Sequence, residues 1–298
     1  MNFDTPIEKI KFEQFDFFVK RDDMIDEFFS GNKARKLHWF LTNDIKNINK
    51  IVSYGSSQSN LLYSLSKLAQ NRNWKFDFYV DHIAKQIKLE PKGNYKGALE
   101  FKANIIEDIN FPKEKYVAKK QELFIQEGGR DKRAQFGIKI LSQELKNWID
   151  KNGLKYNQTK IMLPSGTGTT ALYLQKYLKD IEVLTCCCVG DENYLLKQFS
   201  MLEKDNKTYP TILPRAKKYH FGKLYKEFFE IYNKLLQETK IEFELLYDPI
   251  GWITILQYKK ENPNTNIIYI HQGGLKGNET MIDRYVRYIK NRKTSFVL

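Results

Sequence analysis

The sequence predicts an α/β protein of two domains, with parallel sheets flanked by helices. Three observations carry this. Short apolar runs alternate with amphipathic helical stretches from residue 51 to residue 271, which is the rhythm of βαβ units. Glycine- and hydroxyl-rich loops follow several of those runs, where an open parallel sheet places its ligands. A length of 298 residues with 42% apolar content also exceeds what one hydrophobic core usually organises.

Along the chain, the first helix begins near Gly31-Asn32, residues suited to the turn before a helix, and 34–41 supplies helix formers with apolar positions at Leu37, Phe40 and Leu41. The run 51–54 reads as a strand and 61–69 as a helix, with further strands at 76–80 and 104–107. A helix over 131–148 precedes strand 160–163, helix 170–178 and strand 181–189. A helix over 223–236 leads to strand 241–247, helix 252–260 and strand 266–271. No Pro/Gly/Ser-rich linker and no repeat divides the chain. The second domain is therefore expected as an insertion, with residues 37–126 forming a small α/β unit inside a larger one made of 1–36 and 127–298.

Composition narrows the function classes. A formal charge of +13 invites a nucleic-acid reading, but the lysines are dispersed and no long basic tract forms a binding arm. The dispersed charge suits the steering of small anions such as amino-acid carboxylates. No apolar run reaches the roughly 20 residues of a membrane span, and residues 1–10 lack a signal-peptide pattern. A cytoplasmic protein without membrane or nucleic-acid partners is expected. The three cysteines are consecutive, Cys186 to Cys188, in an apolar run. They read as buried strand residues rather than disulfide or metal ligands.

Chemistry concentrates in a few segments. In Ser30-Gly31-Asn32-Lys33-Ala34-Arg35-Lys36-Leu37, Lys33 falls where the helix starts, and the positive end of the helix dipole favours a neutral, nucleophilic amine. Leu163-Pro164-Ser165-Gly166-Thr167-Gly168-Thr169-Thr170-Ala171 has the makings of a phosphate cradle. Its glycines allow close backbone approach, its hydroxyls donate, and a following helix aims free N–H groups at the same point. It lacks the ending of a nucleoside-triphosphate loop. It also satisfies a dinucleotide fingerprint through Gly166, Gly168 and Ala171, with Asp191 and Glu192 as ribose-binding candidates. A nicotinamide-dependent oxidoreductase is thus a rival reading, as is a tight turn without ligand. Lys33, Lys36 and Gln58-Ser59-Asn60 have no use in a dehydrogenase, whereas a pyridoxal 5′-phosphate enzyme uses a lysine, a glycine/threonine phosphate loop and an asparagine beside the cofactor ring.

With Lys20-Arg21-Asp22-Asp23, Glu127-Gly128-Gly129 and His271-Gln272-Gly273-Gly274-Leu275 added in order, the chain resembles the pyridoxal-phosphate enzymes typified by 1-aminocyclopropane-1-carboxylate deaminase and D-cysteine desulfhydrase. These have the tryptophan synthase β-like fold, fold type II. The resemblance implies Lys33 as the Schiff-base lysine and proton shuttle, with Lys36 available to the cofactor phosphate. It implies Asn60 at the ring hydroxyl, Gln58 and Ser59 at the substrate carboxylate, and Ser59 as a second catalytic group. Gly166, Thr167, Gly168, Thr169 and Thr170 would hold the phosphate, and Gln272 would lie near the ring nitrogen where relatives usually carry threonine. The implied activity is deamination or β-elimination of a small amino acid to a 2-oxo acid and ammonia. A homodimer is expected, and a non-catalytic pyridoxal-phosphate-binding protein is the remaining alternative.

Relatives carry a tyrosine and an acidic residue after an Asp-Pro-hydrophobic sequence. Here Asp248-Pro249-Ile250 runs into Gly251-Trp252, so that tyrosine has no match, neither Tyr219 nor Tyr247 standing at the position. On that ground D-cysteine is expected to be a better substrate than the cyclopropane.

Overall fold

A computed structural model describes residues 1–29 and 31–294, with side chains to Lys290; Ser30 and the last four residues lie outside the described residues. Two sheets organise the chain. The larger contains β1 (Ile7–Phe12), β2 (Phe15–Lys20) and four later strands. The smaller is made by β3 (Lys50–Tyr54), β4 (Lys75–Val80), β5 (Asn104–Glu107) and β6 (Glu122–Phe124). Helix α1 (Gly31–Thr42) joins the two, and α2 (Asn60–Arg72), the short α3 (Lys85–Leu89) and α4 (Gly93–Glu100) belong to the second segment. The chain then runs through α5 (Gln135–Lys151), β7 (Thr159–Ser165), α6 (Thr169–Tyr177), β8 (Glu182–Cys187), α7 (Glu192–Leu202) and β9 (Thr211–Ile212). It ends with α8 (Lys226–Thr239), α9 (Asp248–Glu261), β10 (Asn266–Ile270) and α10 (Asn278–Thr294).

The larger sheet has the order β1-β2-β10-β7-β8-β9. It is parallel except for the β1–β2 hairpin, which the sequence-based assignment does not contain. Glu13, in the left-handed region at φ 54°, makes its reversal. The smaller sheet is wholly parallel in the order β5-β4-β3-β6. Cys186, Cys187 and Cys188 are all buried free thiols on or just after β8.

Both faces of the larger sheet are covered, as parallel strands require. On one face, Trp252 of α9 stacks on Tyr269 at 4.4 Å and meets Phe12, Phe17 and Phe243 edge-on. On the other, Ile138, Leu141 and Leu145 of α5 pack on Ile161, Val183 and Ile268. The smaller sheet's core joins Leu61, Leu65 and Leu68 of α2 to Ile51, Phe76 and Phe78, and it takes in Ala34, Leu37 and Phe40 of α1.

The predicted strand at 241–247 does not form. Its backbone groups pair with side chains instead of a ladder. Glu244 N donates to Asp248 Oδ2 at 3.1 Å, Leu245 N donates to Asn278 Oδ1 at 2.9 Å, and the N–H groups of Leu246 and Tyr247 both donate to Glu244 Oε2. Asn278 Nδ2 donates to Phe243 O, and the His271 ring nitrogen Nε2 pairs with Glu242 O at 2.7 Å. Local bonds of this kind compete with sheet pairing, and here they hold an apolar segment as a turn over the ends of β7 and β10.

Candidate active site

The loops after β3, β7 and β10 meet the start of α1 around a cavity of about 770 Å³. It lies outside the carboxyl ends of parallel strands, where such sheets hold ligands. Every predicted site residue lines it: Lys33 and Lys36, Gln58 to Asn60, Gly166 to Thr170, and Gln272.

Gly31 sets the start of α1. It has φ +58°, and a Cβ there would fall 1.6 Å from Gln272 O, so only glycine lets the helix begin against the loop after β10. Asn32 N donates to that same carbonyl at 3.1 Å. Lys33 follows, its Nζ donating to Asn32 Oδ1 at 2.9 Å. Its side chain keeps some accessible surface because it faces the cavity, yet burial pulls its pKa down to about 8 against a small opposing pull from Glu244. An amine so placed exchanges protons near neutrality. One turn on, Lys36 Nζ donates to Gly128 O at 2.8 Å, and burial reinforced by Lys33 lowers its pKa as well.

The cradle has the expected shape. Gly168 sits at φ 67° before α6, and that helix has no side-chain cap, so its first N–H groups are free. Thr167 and Thr169 hydroxyls lie 3.2 Å apart. Thr170 Oγ1 is buried without a hydrogen-bond partner among the described residues, a costly state that an anion's oxygen would relieve. A buried amine at one side of the cavity and a donor-rich glycine loop at another fit an aldehyde-bearing phosphate ester. No cluster able to hold a metal occurs among the described residues.

Other predicted residues are placed with more nuance. Ser59 Oγ caps α2 by accepting from Leu61 N at 3.1 Å, leaving its proton free to donate. Asn60 Oδ1 accepts from Asn94 Nδ2 at 2.7 Å, which leaves the amide nitrogen as the edge able to donate. Gln58 turns its Nε2 to Lys92 O at 3.1 Å, so the donors to a carboxylate at this helix start are the backbone and Ser59. Gln272 spends both ends of its amide on the protein, donating to Pro164 O at 2.7 Å and accepting from Asn32 Nδ2 at 2.9 Å. It braces Asn32, the neighbour of Lys33. Asp191 and Glu192 do not line the cavity, and Asp191 caps α7 through Tyr194 N. The dinucleotide reading thereby loses its ribose anchor.

Two site residues are absent from the sequence-based set. Tyr247 lines the cavity, and a Cβ on Gly166 would lie 3.2 Å from its Cε1; Tyr219 is instead buried in the core beneath α8. The position after Pro249 still carries no tyrosine, but Tyr247 reaches the cavity from just upstream of it. A signal exists in the sequence, because Glu244-Leu245-Leu246-Tyr247 carries an acid followed three residues later by tyrosine, immediately before Asp248. Glu244 is the second. Its carboxyl is almost fully buried and lines the cavity. Burial, aided by repulsion from Asp248, raises its pKa to about 8.

The two-sheet arrangement is the tryptophan synthase β-like fold, fold type II. Among solved structures, an ACC deaminase homologue superposes with a TM-score of 0.74 at 18% identity, covering 95% of this chain and 93% of that one. A hydrogen sulfide-producing enzyme from Fusobacterium nucleatum gives 0.62 at 13% identity, covering 91% of this chain and 96% of its own. A threonine deaminase from T.th. gives 0.61 at 13% identity, covering 91% of this chain and 92% of its own. No family model and no curated protein matches the sequence.

Proposed function

We propose that this protein is a pyridoxal 5′-phosphate-dependent deaminase or lyase acting on a small amino acid, giving a 2-oxo acid and ammonia. The observation that carries the reading is the convergence, in one cavity, of a half-buried Lys33 whose pKa is drawn down to about 8 and the glycine/threonine cradle with its unpartnered Thr170 hydroxyl. The likeness in fold to deaminases and a sulfide-producing enzyme supports the same class.

The cofactor, when bound, supplies an aldehyde that captures an amino group and a ring that stabilises negative charge at the substrate Cα. The chain's residues divide the remaining work. Gly166 to Thr170 and the start of α6 would hold the phosphate, with Lys36 Nζ as a further donor lining the same cavity. Asn60 donates to the ring hydroxyl. Ser59 and the backbone at the start of α2 receive the substrate carboxylate. Lys33 Nζ would hold the aldehyde and would be the base placed to take or return the proton at the substrate Cα. Tyr247 is the hydroxyl available to a departing group.

With Tyr247 on the cavity wall, 1-aminocyclopropane-1-carboxylate and D-cysteine stand as candidate substrates on equal terms. Release of 2-oxobutyrate from one and of pyruvate and sulfide from the other separates them. Residues 37–126 as an inserted domain, a homodimeric state and a cytoplasmic location complete the reading. All four strands of the smaller sheet fall within that insertion, and no described helix is long and apolar enough to cross a membrane.

The test is direct. Protein supplied with pyridoxal 5′-phosphate should develop an absorption band at about 410–430 nm, and borohydride reduction followed by peptide mapping should label Lys33. Lys33→Ala should lose the band, the label and most turnover while remaining folded. A label on another lysine, or no band, overturns the assignment.

A further inference from the structure

The mouth of the same cavity carries more positive charge than its acids neutralise. Helix α10 contributes Asp283, Arg284 and Arg287 to the wall, and the loop before α4 contributes Glu90 and Lys92. Both acids turn to the same lysine, Lys92 Nζ lying 2.9 Å from Asp283 Oδ2 and 3.0 Å from Glu90 Oε1. Arg284 has no carboxylate within ion-pair distance among the described residues. Its guanidinium is fixed in place by donating from Nη2 to Gly222 O at 2.7 Å and from Nη1 to Met281 Sδ at 3.1 Å. Those two bonds use only part of its donor set. It is half-buried, and burial lowers its pKa, with Tyr285 pulling it back up and the nearby Arg287 pushing it further down.

A partly desolvated guanidinium without an anion is costly, and this one borders a cavity whose other end is built for an amino acid. The geometry points to Arg284, backed by Arg287, as the receptor for a second anionic group on the substrate. The preferred substrate is then an amino acid whose side chain ends in a carboxylate, phosphate or sulfonate, a class that narrows the small amino acids proposed above and that D-cysteine and the cyclopropane, with no distal oxyanion, fall outside. This deepens the function proposed above and rests on it for the place of the amino group. One anion point, at the start of α2, takes the α-carboxylate; the other, on α10, selects the side chain. Bidentate guanidinium–oxyanion contacts are among the stronger polar interactions and are demanding in geometry.

Aspartate and asparagine differ at the distal group by one charge at nearly equal shape, so their affinity ratio isolates the effect. Both enantiomers of each are titrated into the cofactor-loaded protein by visible absorbance, and into the cofactor-free protein by calorimetry. Aspartate should bind roughly tenfold or more tighter than asparagine. The ratio should fall towards one in Arg284→Gln and be largely kept in Arg284→Lys. O-phosphoserine against serine and cysteate against asparagine then show which oxyanion is preferred. Equal affinities in the parent, or a ratio that survives Arg284→Gln, overturns the inference. Should Arg284→Gln fail to fold, Arg287→Gln, at an exposed position, must lower the ratio several-fold for the inference to stand. A protein that develops no visible band sinks the cofactor reading alone, because the calorimetric ratio still decides the role of Arg284.

Discussion

Lys33 and Glu244 line the same cavity, and each makes the other's charge easier to bear. Burial is nevertheless the larger effect on both, lowering the amine and raising the carboxyl to about 8. The sign of the resulting pH dependence follows. A carboxyl whose pKa is raised on folding keeps a proton that the unfolded chain has lost between about 4.5 and 8, so stability falls as pH rises through that window. The amine works in the opposite sense at higher pH, because the unfolded chain binds the extra proton between about 8 and 10.5, and stability rises there. Cofactor-free Glu244→Gln should therefore gain on the parent as pH rises from about 4.5 to 8, by up to about 1.4 kcal/mol per pH unit. Urea denaturation at a series of pH values reads this; a pH-independent difference would show that Glu244 ionises normally. At this scale the sequence is legible where a motif fixes both residue type and turn geometry, as at Lys33 and in the cradle from 166 to 170. It is only weakly legible at Glu244 and Tyr247, where the acid and tyrosine three residues apart are masked by apolar neighbours that read as a strand. Their placement depends on side-chain bonds from Asn278, Asp248 and His271, distant in sequence or indistinguishable from ordinary polar residues.

Among the elements, the start of α1 is the most constrained. Gly31 and Gly153 both have positive φ, but a Cβ on Gly153 meets nothing within 4 Å while one on Gly31 overlaps the backbone of Gln272. Gly153→Ala should therefore cost only the left-handed backbone term, about 1 kcal/mol. Gly31→Ala must displace the loop after β10 or the helix start itself, at a cost of roughly 3 kcal/mol or more, and should also weaken cofactor retention by moving Lys33. Thermal denaturation of the pair, with the visible band measured on each, tests the contrast. Equal losses would mean that the loop after β10 yields freely. Most βα alternation from 51 to 270 is readable from hydrophobic period. The β1–β2 hairpin is not, because its only turn signal is a left-handed Glu13 rather than glycine or asparagine.

At the level of the molecule, α1 is anchored on two sides. Its Ala34, Leu37 and Phe40 pack with the smaller sheet, while the fully buried Arg35 ties it to the larger sheet's surroundings. Arg35 binds Asp22 at 2.7 Å and 2.9 Å, Glu144 of α5 at 2.7 Å and 2.8 Å, and Phe3 O at 3.0 Å. Lys20 adds a further bond to Glu144 at 2.8 Å. Both carboxylates hold Arg35 charged, raising its pKa against its own burial. Arg35→Met leaves Asp22 without its guanidinium and should cost about 3–5 kcal/mol. Arg35→Lys should recover little, since one ammonium cannot reproduce the forked contacts to two carboxylates. Chemical denaturation of both variants decides this, and a loss under about 1 kcal/mol in Arg35→Met would show that solvent screens the cluster.

The double attachment of α1 also makes Lys33 an internal gauge. Its position along the cavity is set at once by apolar packing on one side and by a charged clamp on the other, so a slip of either sheet against its neighbour is transmitted to a single nitrogen. If pyridoxal 5′-phosphate is held by Lys33 as proposed, the colour of the loaded protein would report mechanical registration as well as occupancy. Substitutions confined to the smaller sheet's core, such as Leu65→Ala, should shift or broaden the visible band while touching neither the cofactor nor the residues that hold it.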